Sequence, residues 1–390
     1  MRVLLLSAYD ALSHRYWREQ LTAGFPSFNW TVLALAPRHF SFRTRGNPLS
    51  WYSAQREQLA QPFDLVIATS MVDMATLRGL IPSLASVPLW LYCHENQFVY
   101  PGSEHQQSEM QRGNRLQAQL VFLYNCLCAD AISFNSSYNR DTALAGLAKL
   151  LKTFPDKFDA SLLTGIQARS DVLPIPLREA ASATQKNSRG ADGEALQLVW
   201  NHRWEYDKGP AHLLAFARLM VQAGPPATLH VVGQQFRARP AAFEALERLL
   251  PTQHDEPQQR AKAPEPGAAL QRGAWGFIDN SDEYGELLAR CDVVVSTALH
   301  DFQGLAVLEA CLAGCTPLLP DKLVYPEQFD AKWLYAWHDD PQLNAVSMLD
   351  ALLALDARRR AGEAGPGLQR FSWQALAPRY TQKIESLTGH

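Results

Sequence analysis

The sequence predicts an α/β protein of two doubly wound, Rossmann-like domains facing a central cleft. Three observations carry this: the length of 390 residues, an alternation of strands and helices that stops and restarts, and a polar break between the two runs. A single hydrophobic core stops growing at about 250–300 residues, so a chain of this length builds two. With 47% hydrophobic and 19% charged residues, it has the composition of a folded chain rather than a disordered one.

In the first half, apolar runs at 3–7, 30–35, 65–69, 89–93, 131–134 and 172–175 read as strands. Amphipathic stretches such as 14–23 and 106–127 separate them as helices. Short continuous apolar strands alternating with helices mark a parallel sheet covered on both faces. Residues 177–195 are small, polar and aperiodic and read as a linker, which bounds the first domain at 1–176. The alternation restarts with strands at 196–201, 227–233, 274–277, 292–296 and 316–320, giving a second domain over 196–370. Residues 251–273, rich in Pro, Gln and charge, read as a surface insertion. The amphipathic stretch 371–390 reads as a helix that crosses back to the first domain.

A net charge of −3 supplies no global basic field, so any contact with nucleic acid needs a local patch. The opening apolar run, Val3 to Leu6, is too short for a signal-peptide core, and no stretch nears the roughly 18 apolar residues of a membrane span. The expectation is a cytoplasmic protein without membrane insertion. The six cysteines lack companions at zinc-binding spacing.

Open α/β sheets bind ligands beyond the carboxyl ends of their strands, so residues just after strands are the ones to inspect. HDFQGLAVLEA at 300–310 follows the strand DVVVS. Gly304 lets the backbone approach an anion, and the helix that follows offers free N–H groups and a positive end to a phosphate. Asp301 and Glu309 stand eight residues apart, which lets Glu309 share the loop's side of the helix. VWNHRWEYDKGP at 199–210 sends Arg203 and Lys208 out of the first strand of the second domain. A planar fork beside a mobile point charge suits the several oxygens of a pyrophosphate.

LYCHENQFVYP at 91–101, WNHRWEYDK and HDFQG together resemble the tRNA-queuosine α-mannosyltransferase family, within the retaining GT-B glycosyltransferases. The resemblance runs through nearly the whole chain, apart from the linker and the 251–273 insertion. It implies a hexosyltransferase that moves mannose from GDP-mannose to queuosine in tRNA. Carried onto this sequence, it implies that Arg203 and Lys208 neutralise the leaving diphosphate and that Glu309 bonds the donor ribose. It further implies that Asp301, with the backbone of Gln303, Gly304 and Leu305, holds the sugar and distal phosphate. The family usually has Glu at position 301, and Asp is one methylene shorter. His94 would stand beside the reacting sugar; on the residues alone, a core histidine bonded to backbone is the competing reading. Glu95 and Asn96 either serve that site or cap the loop. Ser13 and His14 follow the first strand as donor-side cleft residues, on a turn without the glycines usual there.

No Asp-x-Asp occurs, so no metal or other cofactor is expected, and cations with helix-end amides would hold the diphosphate. For the acceptor, RHFSFRTRGNPLSW at 38–51 reads as an irregular basic-aromatic loop, with Arg43 and Arg45 meeting phosphates and Arg112 extending the patch. The same loop would suit an anionic membrane surface and so a lipid-linked or polysaccharide acceptor. A binding protein without turnover is a third class the sequence allows.

Overall fold

The computed structural model describes residues 1–99, 109–178, 195–235, 239–250 and 270–389, with no side-chain description at 109–111. Most of the expected linker (179–194) and insertion (251–269) lies outside the described residues. Contacts divide the chain into two units, Met1–Arg178 with Gln369–His390, and Glu179–Leu368.

The first unit runs β1 (Arg2–Ser7), α1 (Leu12–Gly24), β2 (Asn29–Ala34), α2 (Phe40–Leu59), β3 (Leu65–Thr69), α3 (Met74–Leu80), β4 (Leu89–Cys93), α4 (Glu109–Cys128), β5 (Ala131–Phe134), α5 (Ser137–Leu151), α6 (Ser161–Ala168) and β6 (Ser170–Val172). Its sheet is parallel, in the order β2-β1-β3-β4-β5-β6. β3, β4 and β5 are buried throughout, as strands covered on both faces must be. The last strand covers only Val172 of the expected 172–175, because Pro174 has no N–H to give a ladder.

The second unit runs β7 (Leu196–Trp200), α7 (Pro210–Ala223), β8 (Ala227–Val232), α8 (Ala241–Leu249), β9 (Leu270–Gly276), α9 (Ser281–Arg290), β10 (Val293–Val295), α10 (Leu305–Leu312), β11 (Thr316–Pro320), α11 (Tyr325–Gln328), β12 (Leu334–Tyr335) and α12 (Pro341–Arg360). Its parallel sheet is ordered β12-β11-β10-β7-β8-β9. The chain leaves β7 toward β8 and returns at β10 on the other side, so the β7/β10 boundary is the topological switch point where such sheets take ligands.

Three features correct the sequence reading. The segment 38–51 is not a loop: 40–59 is helical despite Gly46, Asn47 and Pro48. Pro48 cannot bond the carbonyl one turn back, but the buried Asn47 amide compensates, donating to Arg43 O (2.7 Å), Thr44 O (3.4 Å) and Met71 O (3.1 Å). Gly46 lies under the Phe42 ring, where a Cβ would stand 2.5 Å from ring carbons. Leu177 is not linker but buried, bridged to Ser372. Residues 270–273 belong to β9 rather than to the insertion.

A last helix, α13 (Trp373–Thr388), belongs to the first unit. Its fully buried Tyr380 accepts from Trp17 Nε1 (3.1 Å) and donates to Pro174 O (3.0 Å). Trp17 stacks on Tyr92 at 4.1 Å, so residues from α1, β4 and α13 form one aromatic block.

Candidate active site

At the carboxyl ends of β7 and β10, the two motifs read from the sequence meet. The buried Lys208 ends a short 3-10 turn, Tyr206–Lys208, and Gly209 (φ 65°) starts α7 in the left-handed region. A Cβ on Gly209 would lie 1.9 Å from Thr297 O, so only glycine lets the two loops touch. Thr297 Oγ1 donates to Lys208 O (2.9 Å) and accepts from Trp200 Nε1 (2.9 Å). Lys208 Nζ then donates to His300 O at 2.6 Å and stands 3.8 Å from Asp301 Oδ2.

Asp207, which the sequence reading passed over, is fully buried beneath these cations. Its carboxylate is 3.5 Å from Lys208 Nζ, 3.9 Å from Arg203 and 4.0 Å from His300 Nδ1. Arg203 also pairs with Glu205 at 3.0 Å and stays half-exposed. Three acids therefore face two cations, and part of the positive field for an anion comes from the N-terminus of α10. Burial pushes the Asp301 carboxyl up, but Lys208, His202, His300 and the Gly304 N–H outweigh it and leave it below the ordinary value. Burial and Lys208 lower His300 and His202 to about 4, so both rings are neutral near pH 7.

Gly304 (φ 67°) caps α10, and its N–H donates to Asp301 Oδ1 at 3.0 Å. Gln303 is buried, with its carbonyl bonded by Gln328 Nε2 (3.0 Å), while Leu305 opens the helix. Glu309 is half-buried on the second turn, close enough to help raise the Tyr284 hydroxyl, which burial raises most. Asn201 ties this corner together, donating to Tyr284 OH (2.9 Å) and Ala306 O (2.7 Å). Arg203, Lys208 and Asp301 thus gather at one switch point, with Gly304 capping α10 and Glu309 a turn further along it beside Tyr284.

In the first unit, His94 follows β4 and is buried, its ring 4.1 Å from that of His14 on α1. Neither His94 ring nitrogen has a hydrogen-bond partner among the described residues. The backbone-bonded core histidine of the sequence reading is thereby replaced by one with two uncommitted polar atoms. Burial, then His14, hold it well below the ordinary histidine value. Ser7 Oγ and Thr69 Oγ1, at the ends of β1 and β3, are likewise buried and unpartnered among the described residues. Buried polar atoms without partners are rare in folded proteins and commonly mark a ligand or water position. Ser13 is exposed on α1, away from its buried neighbour His14.

Asn96, read from the sequence as either an acceptor-side or a loop-capping residue, is buried and bonded within the first unit. Its amide donates to Asn139 O (3.2 Å), Asn139 Oδ1 (2.9 Å) and Thr142 Oγ1 (3.0 Å), and its carbonyl accepts from Phe98 N (3.0 Å). It caps the loop by tying it to α5. Glu95 is half-buried, with its carbonyl receiving Ser70 Oγ at 3.4 Å.

The basic-aromatic segment keeps its chemistry on a helix. Residues 38–56 and 112–128 carry six arginines and no acidic residue. Phe40 and Phe42 are exposed beside Arg38, and Asn114 of the exposed start of α4 bonds Ser41 (3.3 Å). Arg112 is exposed, whereas Arg43 donates to Ser50 Oγ (3.3 Å) and Arg45 pairs with Asp73 at 2.8 Å. Among the described residues, no group of three or more His, Cys, Asp or Glu is placed to hold a metal ion, and no helix is long and apolar enough to cross a membrane.

The architecture is the GT-B fold of glycosyltransferases. The chain superposes on an α,α-trehalose-phosphate synthase (UDP-forming) from Burkholderia vietnamiensis with a TM-score of 0.62 and 13% identity, covering 99% of this chain and 97% of that one. TarM is similar at a TM-score of 0.52 and 12% identity, over 87% of this chain and 57% of the other. The sequence narrows the class. Residues 2–177 match the family described as tRNA-queuosine alpha-mannosyltransferase N-terminal. A tRNA-queuosine alpha-mannosyltransferase of Drosophila melanogaster is 28% identical over 384 residues, which is 97% of this chain and 95% of that protein. Similarity to tRNA-queuosine alpha-mannosyltransferases therefore extends over nearly the whole chain.

Proposed function

We propose that this protein transfers mannose from GDP-mannose to queuosine in tRNA, with retention of configuration and without a metal ion, in the cytoplasm. The observation that carries the reading is the extent of the match: identity to the Drosophila enzyme runs through both units, not the first alone. In this reading Arg203, Lys208 and the amides at the start of α10 receive the diphosphate, and Glu309 receives the ribose. Asp301 and the Gln303–Gly304–Leu305 backbone border the sugar, with His94 offering its ring nitrogens to the sugar or acceptor. The acceptor hydroxyl oxygen bonds to the anomeric carbon on the face from which the diphosphate leaves, and its proton passes to the departing phosphate oxygen. Catalysis then consists of holding the two partners in line and stabilising charge on the diphosphate, so no protein nucleophile is required. Arg38, Phe42, Arg43, Arg45 and Arg112 on the α2–α4 face meet the tRNA, phosphates on guanidinium groups and a base on the exposed ring.

The test offers the purified protein GDP-mannose with queuosine-containing or queuosine-free tRNA, digests the tRNA and weighs the nucleosides. A hexose on queuosine alone is the expected result. Transfer to a lipid or polysaccharide acceptor with none to tRNA replaces the acceptor, and equal transfer to both tRNAs removes the modified base from the reading.

A further inference from the structure

Three residues outside the matched motif roles form a buried line that ends on Asp301. His202 Nε2 is 3.1 Å from Ser296 Oγ, Ser296 Oγ is 2.8 Å from Tyr325 OH, and Tyr325 OH is 3.2 Å from Asp301 Oδ2. His202, Ser296 and Tyr325 are all buried. Proton counting fixes the direction. An ionised carboxylate only accepts, so the single Tyr325 proton goes to Asp301. Tyr325 oxygen must then accept, which commits the Ser296 proton to it. Ser296 oxygen accepts in turn from His202 Nε2–H and from Ala298 N at 3.3 Å. Every group in the line is satisfied in one direction only, with His202 protonated on Nε2. Burial pushes the Tyr325 hydroxyl far up, so its proton stays in place.

We infer that Ser296 and Tyr325 are positioning residues of the donor site, holding the Asp301 carboxylate off Lys208 so that the ammonium stays available to a diphosphate. The inference rests on the donor-site reading above. Asp301 Oδ1 is fixed by Gly304 N and Oδ2 by Tyr325, and the 3.8 Å to Lys208 Nζ is longer than the roughly 2.7–2.9 Å of a charge-assisted hydrogen bond. The groups facing Asp301 are Lys208 from the β7 loop, His202 after β7, His300 on its own loop and Tyr325 at the start of α11. Of these, only Lys208 is a full cation. Without the tyrosine proton, Oδ2 gains by closing on Lys208, and the resulting contact pair competes with any incoming phosphate oxygen.

The test is calorimetric titration of the full chain with ADP, GDP and UDP, with melting temperatures recorded alongside. The variants are Tyr325→Phe, Ser296→Ala, Asp301→Asn and the Tyr325→Phe/Asp301→Asn double. Tyr325→Phe should weaken the tightest nucleoside diphosphate about tenfold, the usual effect of losing a hydrogen bond to a charged group. In the Asp301→Asn background the same change should cost less than about twofold, because a neutral amide no longer draws Lys208. Ser296→Ala keeps the tyrosine ring and carries the same comparison if Tyr325→Phe does not fold. Wild-type affinity in Tyr325→Phe, or an equal loss in both backgrounds, overturns the positioning role while leaving the donor site standing. If the wild type binds none of the three nucleotides, the donor site falls and the inference falls with it.

Discussion

Lys208 Nζ donates a 2.6 Å hydrogen bond to the main-chain carbonyl of His300, so two motifs separated by 92 residues close on one ammonium. Replacing Lys208 by Ala removes a buried cation from the start of α7 and leaves that carbonyl unpaired. Lys208→Ala and Arg203→Ala should each lower kcat/KM by about 2–4 kcal/mol of transition-state stabilisation, or roughly 30- to 1000-fold. Steady-state kinetics on folded variants check this; turnover like wild type in either one removes the diphosphate assignment.

Glu309 sits one turn into α10, beside the Tyr284–Asn201 corner, rather than at the Lys208–Asp301 cluster. A ribose contact changes little during reaction, so Glu309→Gln should raise donor KM several-fold and lower kcat less. A loss confined to kcat would move Glu309 to the reacting centre.

Metal dependence has a direct readout. Activity in excess chelator should match activity without it, since cations and amides take the place that an Asp-x-Asp-bound metal fills elsewhere. Loss on chelation, restored by manganese or magnesium, would reject this expectation.

The exposed arginines of 38–45 and Arg112 predict salt-dependent acceptor binding. Replacing exposed Arg38 and Arg112 by Ala should weaken tRNA binding, spare GDP binding, and flatten the log–log salt dependence by about one unit for each phosphate no longer neutralised. Arg45→Ala should also lower the melting temperature, because Arg45 pairs with Asp73, the N-cap of α3. Binding to anionic vesicles in place of tRNA would assign the face to a membrane.

His202, His230 and His300 are each lowered to about 4, mainly by burial, and His94 is also well below its ordinary value of 6.5. The unfolded chain takes protons near pH 6.5 that the folded chain refuses. These groups therefore leave stability intact above pH 6.5 and subtract from it as pH falls toward about 4. Melting temperature should drop between pH 7 and 5. His230→Gln, away from the site, should shrink the drop by abolishing one titration; an unchanged drop would show that His230 does not couple to folding.

Strands buried on both faces were legible as uninterrupted apolar runs, and 65–69, 89–93, 131–134 and 316–320 agree with the structure to the residue. Position after a strand located Arg203, Lys208, Asp301 and His94 for the same reason. What escaped was tertiary. Gly46, Asn47 and Pro48 spell a break by local propensity, but Asn47 supplies the donors that proline lacks and reaches Met71 O as well. Asp207 lies inside a motif already singled out, yet only full burial under two cations marks it as support. Ser296 and Tyr325 follow β10 and β11, the same rule that located Asp301, but their role depends on a direction of hydrogen bonding that no spacing encodes.

The partnership of Tyr380 with Trp17 and Pro174 has a consequence for biosynthesis. Residues 1–178 are made before the second unit, but the helix that completes their unit is translated only after the whole second unit has been. The nascent first unit must wait with Trp17 lacking the phenol its indole donates to. Its final consolidation comes only after the second unit has been synthesised, so the second unit can begin to fold while the first is still incomplete.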